Sequence, residues 1–251
     1  MPDSDVAPPA PAAAPSAIVP AAAPHHPKLL EPKLHVEKGG RATPHVAVTL
    51  DACSGHTDLR ILSVLVTENI PATIFVTARW LRRNGEALAI LQSRPDLFEL
   101  ENHGFNHVPA VDFPTAVYGI PAAGSTAAVD AEVDGGAKEM DAHGIGKPHW
   151  FRGATARYSA SAVADIEGRG YRIAGYSLNG DDGSLLGAGA AERRIAAARD
   201  GDVIIAHINQ PTHAAGEGVA RGLKALKARG VVFVRLDAGS GTLAQAPVPV
   251  Q

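Results

Sequence analysis

From His45 onward, short β-branched runs alternate with Ala- and Leu-rich stretches of helical spacing, and few folds accept that alternation. His45 to Asp51 reads as a first strand. Leu59 to Glu68 follows as a helix closed by Asn69-Ile70-Pro71. Ala72 to Thr77 is a second strand, Glu86 to Gln92 a helix and Leu97 to Asn102 a third strand. A long loop runs through Tyr118, and Ser125 to Ala142 is a helix with Ser125 as its N-cap candidate. Gly135 and Gly136 weaken that helix by roughly 1 kcal/mol each relative to Ala. The remaining strands fall at His149 to Arg152, Arg172 to Leu178, Val203 to Ile208 and Val231 to Leu236. Helices lie between them, around Ala160 to Arg169, Ala191 to Arg199 and Glu217 to Arg229.

Continuous apolar strands such as Val203-Ile204-Ile205-Ala206 suit a parallel sheet covered on both faces. No Gly-rich phosphate loop follows the first strand, which argues against a nucleotide-binding fold. The expected class is α/β, a distorted seven-stranded (β/α) barrel preceded by a disordered Pro/Ala-rich N-terminal segment. The expected organisation is a tether over residues 1–40, a catalytic domain over 41–240 and a flexible tail over 241–251. The early Ala/Pro composition cannot bury a core and favours extended conformers.

Composition narrows the function classes. A net charge of -3 and the lack of a dense basic cluster give no electrostatic reason to expect nucleic acid as a partner. No apolar run approaches the length of a transmembrane segment. The chain has one cysteine, Cys53, so an internal disulfide is impossible. The acidic start Met1-Pro2-Asp3-Ser4-Asp5 is not a signal peptide. The expected compartment is therefore the cytoplasm, or the periplasm or exterior if an export signal lies upstream.

Polar residues cluster where the apolar strands end, and in a barrel those C-terminal ends gather on the face that carries the active site. Asp51 closes the first strand, and a carboxylate there can take a proton from water or coordinate a cation. His103 and His107 stand four apart after the third strand and can share one divalent cation if the stretch turns helically. With Asp51 they form a two-His, one-carboxylate set of the kind found in hydrolytic zinc sites. Arg152, in Trp150-Phe151-Arg152-Gly153, can hold Asp51 ionised through a charge-assisted bond. His207 ends a wholly apolar strand and is a natural general acid, with Asp181 as either its partner or a turn residue. Nothing near Cys53 in the sequence activates it as a nucleophile.

These segments resemble the polysaccharide deacetylase superfamily (carbohydrate esterase family four) across residues 44 to 237. Thr49-Leu50-Asp51-Ala52 is similar to the family's Thr-Phe-Asp-Asp motif, and Asn102-His103-Gly104-Phe105-Asn106-His107 to its Asn-His-Ser/Thr-x-x-His metal motif. Phe151-Arg152 resembles the opening of the third motif, Asn179 to Asp182 occupies the place of the fourth, and Ile204 to His207 is similar to the fifth. The resemblance implies metal-assisted removal of an N-acetyl group from an amino sugar of a polysaccharide or cell-wall glycan. It implies Asp51 as base, His207 oriented by Asp181 as acid, and a backbone N–H near Gly153-Ala154 facing the oxyanion. The implied cofactor is a divalent metal, zinc first, with cobalt, nickel or iron also compatible, held by His103, His107 and Asp51.

Two departures stand out. The family's second aspartate is Ala52 here, so Asp51 cannot cleanly serve as both base and ligand. The third motif continues as Gly153-Ala154-Thr155-Ala156-Arg157-Tyr158 in place of Pro-Pro-Tyr, which implies a reshaped groove. Phe105, Trp80, Trp150 and Tyr158 are the aromatic candidates for stacking on sugar, although aromatic residues are few here and more often serve packing. Two alternatives stay open, a hydrolase of a small or cyclic amide with weak or no metal, and a non-catalytic glycan-binding module.

Overall fold

A computed structural model describes residues 27–236 and the backbone of a short strand at Pro247–Pro249. The strands are β1 (Leu30–Pro32), β2 (His45–Ala52), β3 (Ala72–Val76), β4 (Phe98–Asn102), β5 (Ala116–Val117), β6 (Ile120–Pro121), β7 (Trp150–Phe151), β8 (Arg172–Ile173), β9 (Leu178–Asn179), β10 (Asp202–His207), β11 (Val232–Val234) and β12 (Pro247–Pro249). The helices are α1 (Leu59–Thr67), α2 (Ala78–Leu81), α3 (Gly85–Gln92), α4 (Thr126–Ala142), α5 (Ala160–Gly168), α6 (Ala188–Ala196) and α7 (Ala215–Ala228). Ser125 caps α4 as expected, and Asp58, Thr77 and Ser159 cap α1, α2 and α5 through side-chain oxygens.

The main sheet runs β8-β7-β4-β3-β2-β10-β9, all parallel, and curls into a half-barrel. β11 pairs with the first half of β2, on the edge whose second half pairs with β3. The strand expected over Arg172 to Leu178 is two strands. β8 pairs with β7 at one edge of the sheet and β9 pairs with β10 at the other, so the intervening residues cross the opening. Gly175 sits in that crossing because the Pro32 carbonyl occupies the space a Cβ would need, 2.1 Å away.

Strand side chains alternate between two buried faces, which explains the continuous apolar runs. Val46, Val48, Leu50 and Ala52 of β2 pack outward with Ile61, Leu65 and Leu223 of the helical layer. Ala47, Phe75, Trp150, Val203 and Ile205 point inward, where Leu34, Val36 and Leu236 complete a second core. That core changes the boundary of the expected tether. Residues 1–26 lie outside the described residues, whereas Leu30 exchanges backbone hydrogen bonds with Tyr158, Val36 bonds Gly201, and Leu34 is buried. The apolar positions Leu34 and Val36, two apart, suit one buried face of an extended chain. Apart from β12, whose backbone pairs with β1, the expected tail over 241–251 also lies outside the described residues. Among the described residues no helix is long and apolar enough to cross a membrane.

Candidate active site

Register assembles the site. Parallel pairing sets His207 beside Asp51, Asp51 beside Phe75, and Phe75 beside Glu101. The next row contains Ala52, Val76, Asn102, Phe151 and Ile173. Residues just past that row therefore emerge together at the strands' C-terminal ends, and alternation turns inward the ones two along from an inward neighbour. Cys53 follows Asp51 in this way, His103 follows Glu101, and Arg152 follows Trp150.

Arg152 is wholly buried and spans the barrel opening. Nε donates to the Ala174 carbonyl at 3.1 Å and one terminal nitrogen to the Gly175 carbonyl at 3.0 Å. The other donates to Thr49 Oγ1 at 2.8 Å and Asp51 Oδ1 at 2.9 Å, while the guanidinium lies 4.3 Å from the centre of the Phe75 ring. Burial works to raise the Asp51 carboxyl, but the Arg152 charge and the neighbouring imidazoles outweigh it and hold the group below the usual carboxylate range. Asp51 is thus an oriented, ionised carboxylate, as the sequence led us to expect.

Asp181 is fully buried and is the partner of His207 rather than a bare turn residue. One of its oxygens accepts the His207 backbone N–H at 2.7 Å, and the other lies 3.0 Å from Nδ1. Burial alone would lower the His207 pKa. The charge and hydrogen bond of Asp181, with Asp51 adding, reverse this and hold it above the ordinary imidazole value. Asp181 fixes Nδ1 as a donor, which leaves Nε2 to exchange protons with substrate.

The His103–His107 segment is a loop rather than the helical turn that sequence spacing made a condition for sharing a cation. Gly104 (φ +89°) and His107 (φ +64°) take left-handed conformations, and the two imidazole centres end 5.0 Å apart, edge to face. A close-packed backing holds this loop. Asn102 accepts the Gly104 N–H and donates to the Val133 carbonyl, and Glu132 accepts the N–H groups of Asn106 and Val108. Gly136 is in α4 because a Cβ there would lie 2.2 Å from Asn102 Oδ1, and one at Gly135 would lie 2.9 Å from the Phe105 ring. Sequence reasoning missed Glu132; its signal is a carboxylate on the buried α4 stripe of Val129, Val133, Gly136 and Met140.

The His103 Nδ1 lies 2.6 Å from the Arg152 carbonyl, an acceptor only, so Nδ1 carries the proton and Nε2 the lone pair. Burial lowers the pKa of His103, and it pushes His107 down to about 3, which favours the neutral form of both rings, with a lone pair free to donate. Nε2 of His103 lies 3.6 Å from Cys53 Sγ and 3.8 Å from Asp51 Oδ2. Among the described residues the three metal-type donors that converge within 4.8 Å of one another are those of Cys53, His103 and His107. Asp51 Oδ2, the oxygen that Arg152 does not hold, also faces His103, but the expected Asp51, His103, His107 trio is not among the donor groups that converge this closely in the described residues. Two neutral imidazoles beside a thiol form a donor set that fits a divalent transition metal. Burial, with Asp51 and Asp181, raises the Cys53 thiol well above its ordinary value, which argues against a free thiolate nucleophile.

Other expectations change. Of the backbone N–H groups near Gly153-Ala154 that the resemblance places at the oxyanion, that of Gly153 donates to the Tyr158 hydroxyl at 2.8 Å. Of the two roles open to the candidate aromatic rings, packing holds: Trp80, Trp150 and Tyr158 are buried, and Phe105 lies half-buried under Arg82. Among the described residues Tyr118 is an exposed aromatic, with the Arg157 guanidinium 4.8 Å from its ring centre.

Comparison with known proteins agrees with this architecture. No curated protein sequence matches the chain. Among solved structures, a CE4 family pseudoenzyme from Bacillus anthracis superposes with a TM-score of 0.63 at 17% identity, covering 79% of this chain and 66% of that protein. A family 4 carbohydrate esterase from Streptomyces lividans, solved with acetate, gives 0.63 at 17% identity, covering 84% of this chain and 100% of the other. A peptidoglycan deacetylase from Bacillus subtilis gives 0.62 at 16% identity, covering 77% and 88%. Residues 38–174, more than half of the chain, match the family described as polysaccharide deacetylase. The half-barrel, the strand-end residues and that match lead to one assignment: the chain belongs to the polysaccharide deacetylase family.

Proposed function

We propose that the protein is a metal-assisted hydrolase that removes N-acetyl groups from an acetylated amino sugar of a glycan. The observation that carries this reading is the pairing of Asp51 with Arg152 and of His207 with Asp181 on adjacent strand ends, beside two neutral imidazoles. Their environments push in opposite directions, Arg152 holding the Asp51 carboxyl below its ordinary value and Asp181 holding the His207 imidazole above its own, which suits one to accept a proton and the other to donate one. Family membership and the deacetylases among the structural neighbours support the same chemistry.

In this reading Asp51 takes a proton from the water that adds to the acetyl carbonyl, with Arg152 keeping the carboxylate ionised and aimed. His207 delivers a proton from Nε2 to the nitrogen as the C–N bond breaks, and acetate and a free amine leave. Asp181 stabilises the imidazolium until that transfer. A divalent cation at His103 and His107 would supply Lewis-acid polarisation of water and carbonyl.

A second reading, hydrolysis of a small amide, is favoured by the burial of the candidate sugar-stacking rings Trp80, Trp150 and Tyr158. Acetate release from acetylated chito-oligosaccharides and peptidoglycan, set against a panel of small amides, decides between them. Turnover of the glycans that stops on thorough chelation and returns with zinc is the expected result. Glycan deacetylation by the chelated protein would remove the metal from the reading, and turnover confined to small amides would replace it. No turnover of any substrate would leave the binding-module alternative.

A further inference from the structure

We propose that Cys53 supplies the third protein ligand of the cation site, giving one thiolate and two imidazoles, and that Asp51 is thereby left free as base. This rests on the metal-assisted reading above. Strand alternation is the first argument. Ala52 packs outward against the helical layer with Ile61 and Leu223, whereas Asp51 and Cys53 share the inward face. The inward position after the base therefore carries a sulfur.

Distance is the second argument. Two ligands bound at about 2.0–2.3 Å to a tetrahedral ion stand roughly 3.5 Å apart. Cys53 Sγ and His103 Nε2 already lie 3.6 Å apart, and all three donor atoms fall within 4.8 Å of one another. Support around the donors is the third. The Arg152 carbonyl fixes His103 with its Nε2 lone pair toward the sulfur. The Thr77 hydroxyl, which also caps α2, donates to the Cys53 carbonyl and anchors the residue. Charge is the fourth: a thiolate carries the same single negative charge as the carboxylate it replaces, and binding releases one thiol proton to solvent. A thiolate-containing set favours zinc or cobalt over magnesium, calcium or manganese.

Cys53 is the single cysteine, so every thiolate signal reports on this position. The full-length protein, stripped and reloaded with Co(II), is to be read by absorption and elemental analysis. The expected result is one cobalt per chain, visible d–d bands, and a near-ultraviolet sulfur-to-cobalt charge-transfer band. In Cys53→Asp the metal and the d–d bands remain and the charge-transfer band is lost; in His103→Ala the site cobalt is lost. Wild-type protein with stoichiometric cobalt and d–d bands but no charge-transfer band overturns the role of Cys53 and leaves the metal-assisted reading standing. Wild-type protein that retains no cobalt and no zinc overturns both. The His25-His26 pair cannot imitate the outcome, because imidazoles give no thiolate band.

Discussion

Arg152→Met keeps the length of the side chain that spans the barrel opening and removes its charge and its donors. The structure sets the size of the effect. Asp51 is 4% exposed, and its ionised form depends on a guanidinium 2.9 Å away that is itself fully buried. Breaking a buried pair by removing one partner costs about 3–5 kcal/mol. The Ala174 and Gly175 carbonyls also lose a donor, so the upper end applies. In a domain of this size roughly 5 kcal/mol corresponds to a Tm lower by roughly 10–20 °C. Calorimetry on chelated protein at about pH 7 measures it, with Arg152→Met/Asp51→Asn as the second arm of a cycle. The double variant is expected to be more stable than the single one, because the stranded charge is gone. The pH dependence follows from the sign of the shift. In the wild type the lowered Asp51 pKa contributes stability above the unfolded carboxylate value, and this is lost as pH falls through the folded value. In Arg152→Met burial acts without the guanidinium to oppose it, so ionisation costs stability and the cost fades as pH falls. The deficit should therefore shrink in acid. A deficit as large at about pH 4 as at about pH 7, or no recovery in the double variant, would refute the account of Asp51.

Asp181→Asn removes the charge that holds up the His207 pKa against burial, so the alkaline limb of kcat/KM, where the acid loses its proton, should move to lower pH. An unmoved limb would show that His207 is not the acid. His207→Ala should lower kcat by roughly 100-fold to 10,000-fold with an unchanged circular dichroism spectrum. Gly136→Ala should destabilise despite the helix-propensity gain of roughly 1 kcal/mol, since its Cβ would lie 2.2 Å from Asn102 Oδ1. The control Gly189→Ala, in α6 with 3.4 Å of clearance to a flexible Arg193 end, should stabilise by roughly 0.5–1 kcal/mol in urea titrations.

Much of the fold was legible because a parallel α/β layer leaves a strong local trace. Strands buried on both faces read as unbroken apolar runs, and polar residues at their ends stand out against them. That contrast was enough to select Asp51, His103, Arg152 and His207, and it made Asp51–Arg152 pairing a reasonable expectation. Other features depend on partners far along the chain. The break between β8 and β9 arises because the sheet stays open and one chain segment must serve both of its edges. The left-handed His107 and the tight Gly136 arise from the approach of α4 to the loop after β4, which no local pattern reports. The third donor is the sharpest case. By sequence alone, the motif pointed to position 52 and found an alanine. Only strand parity and register, set by pairing with β3 and β10, decide that position 52 faces the helices and that the sulfur of Cys53 lies 3.6 Å from His103 Nε2.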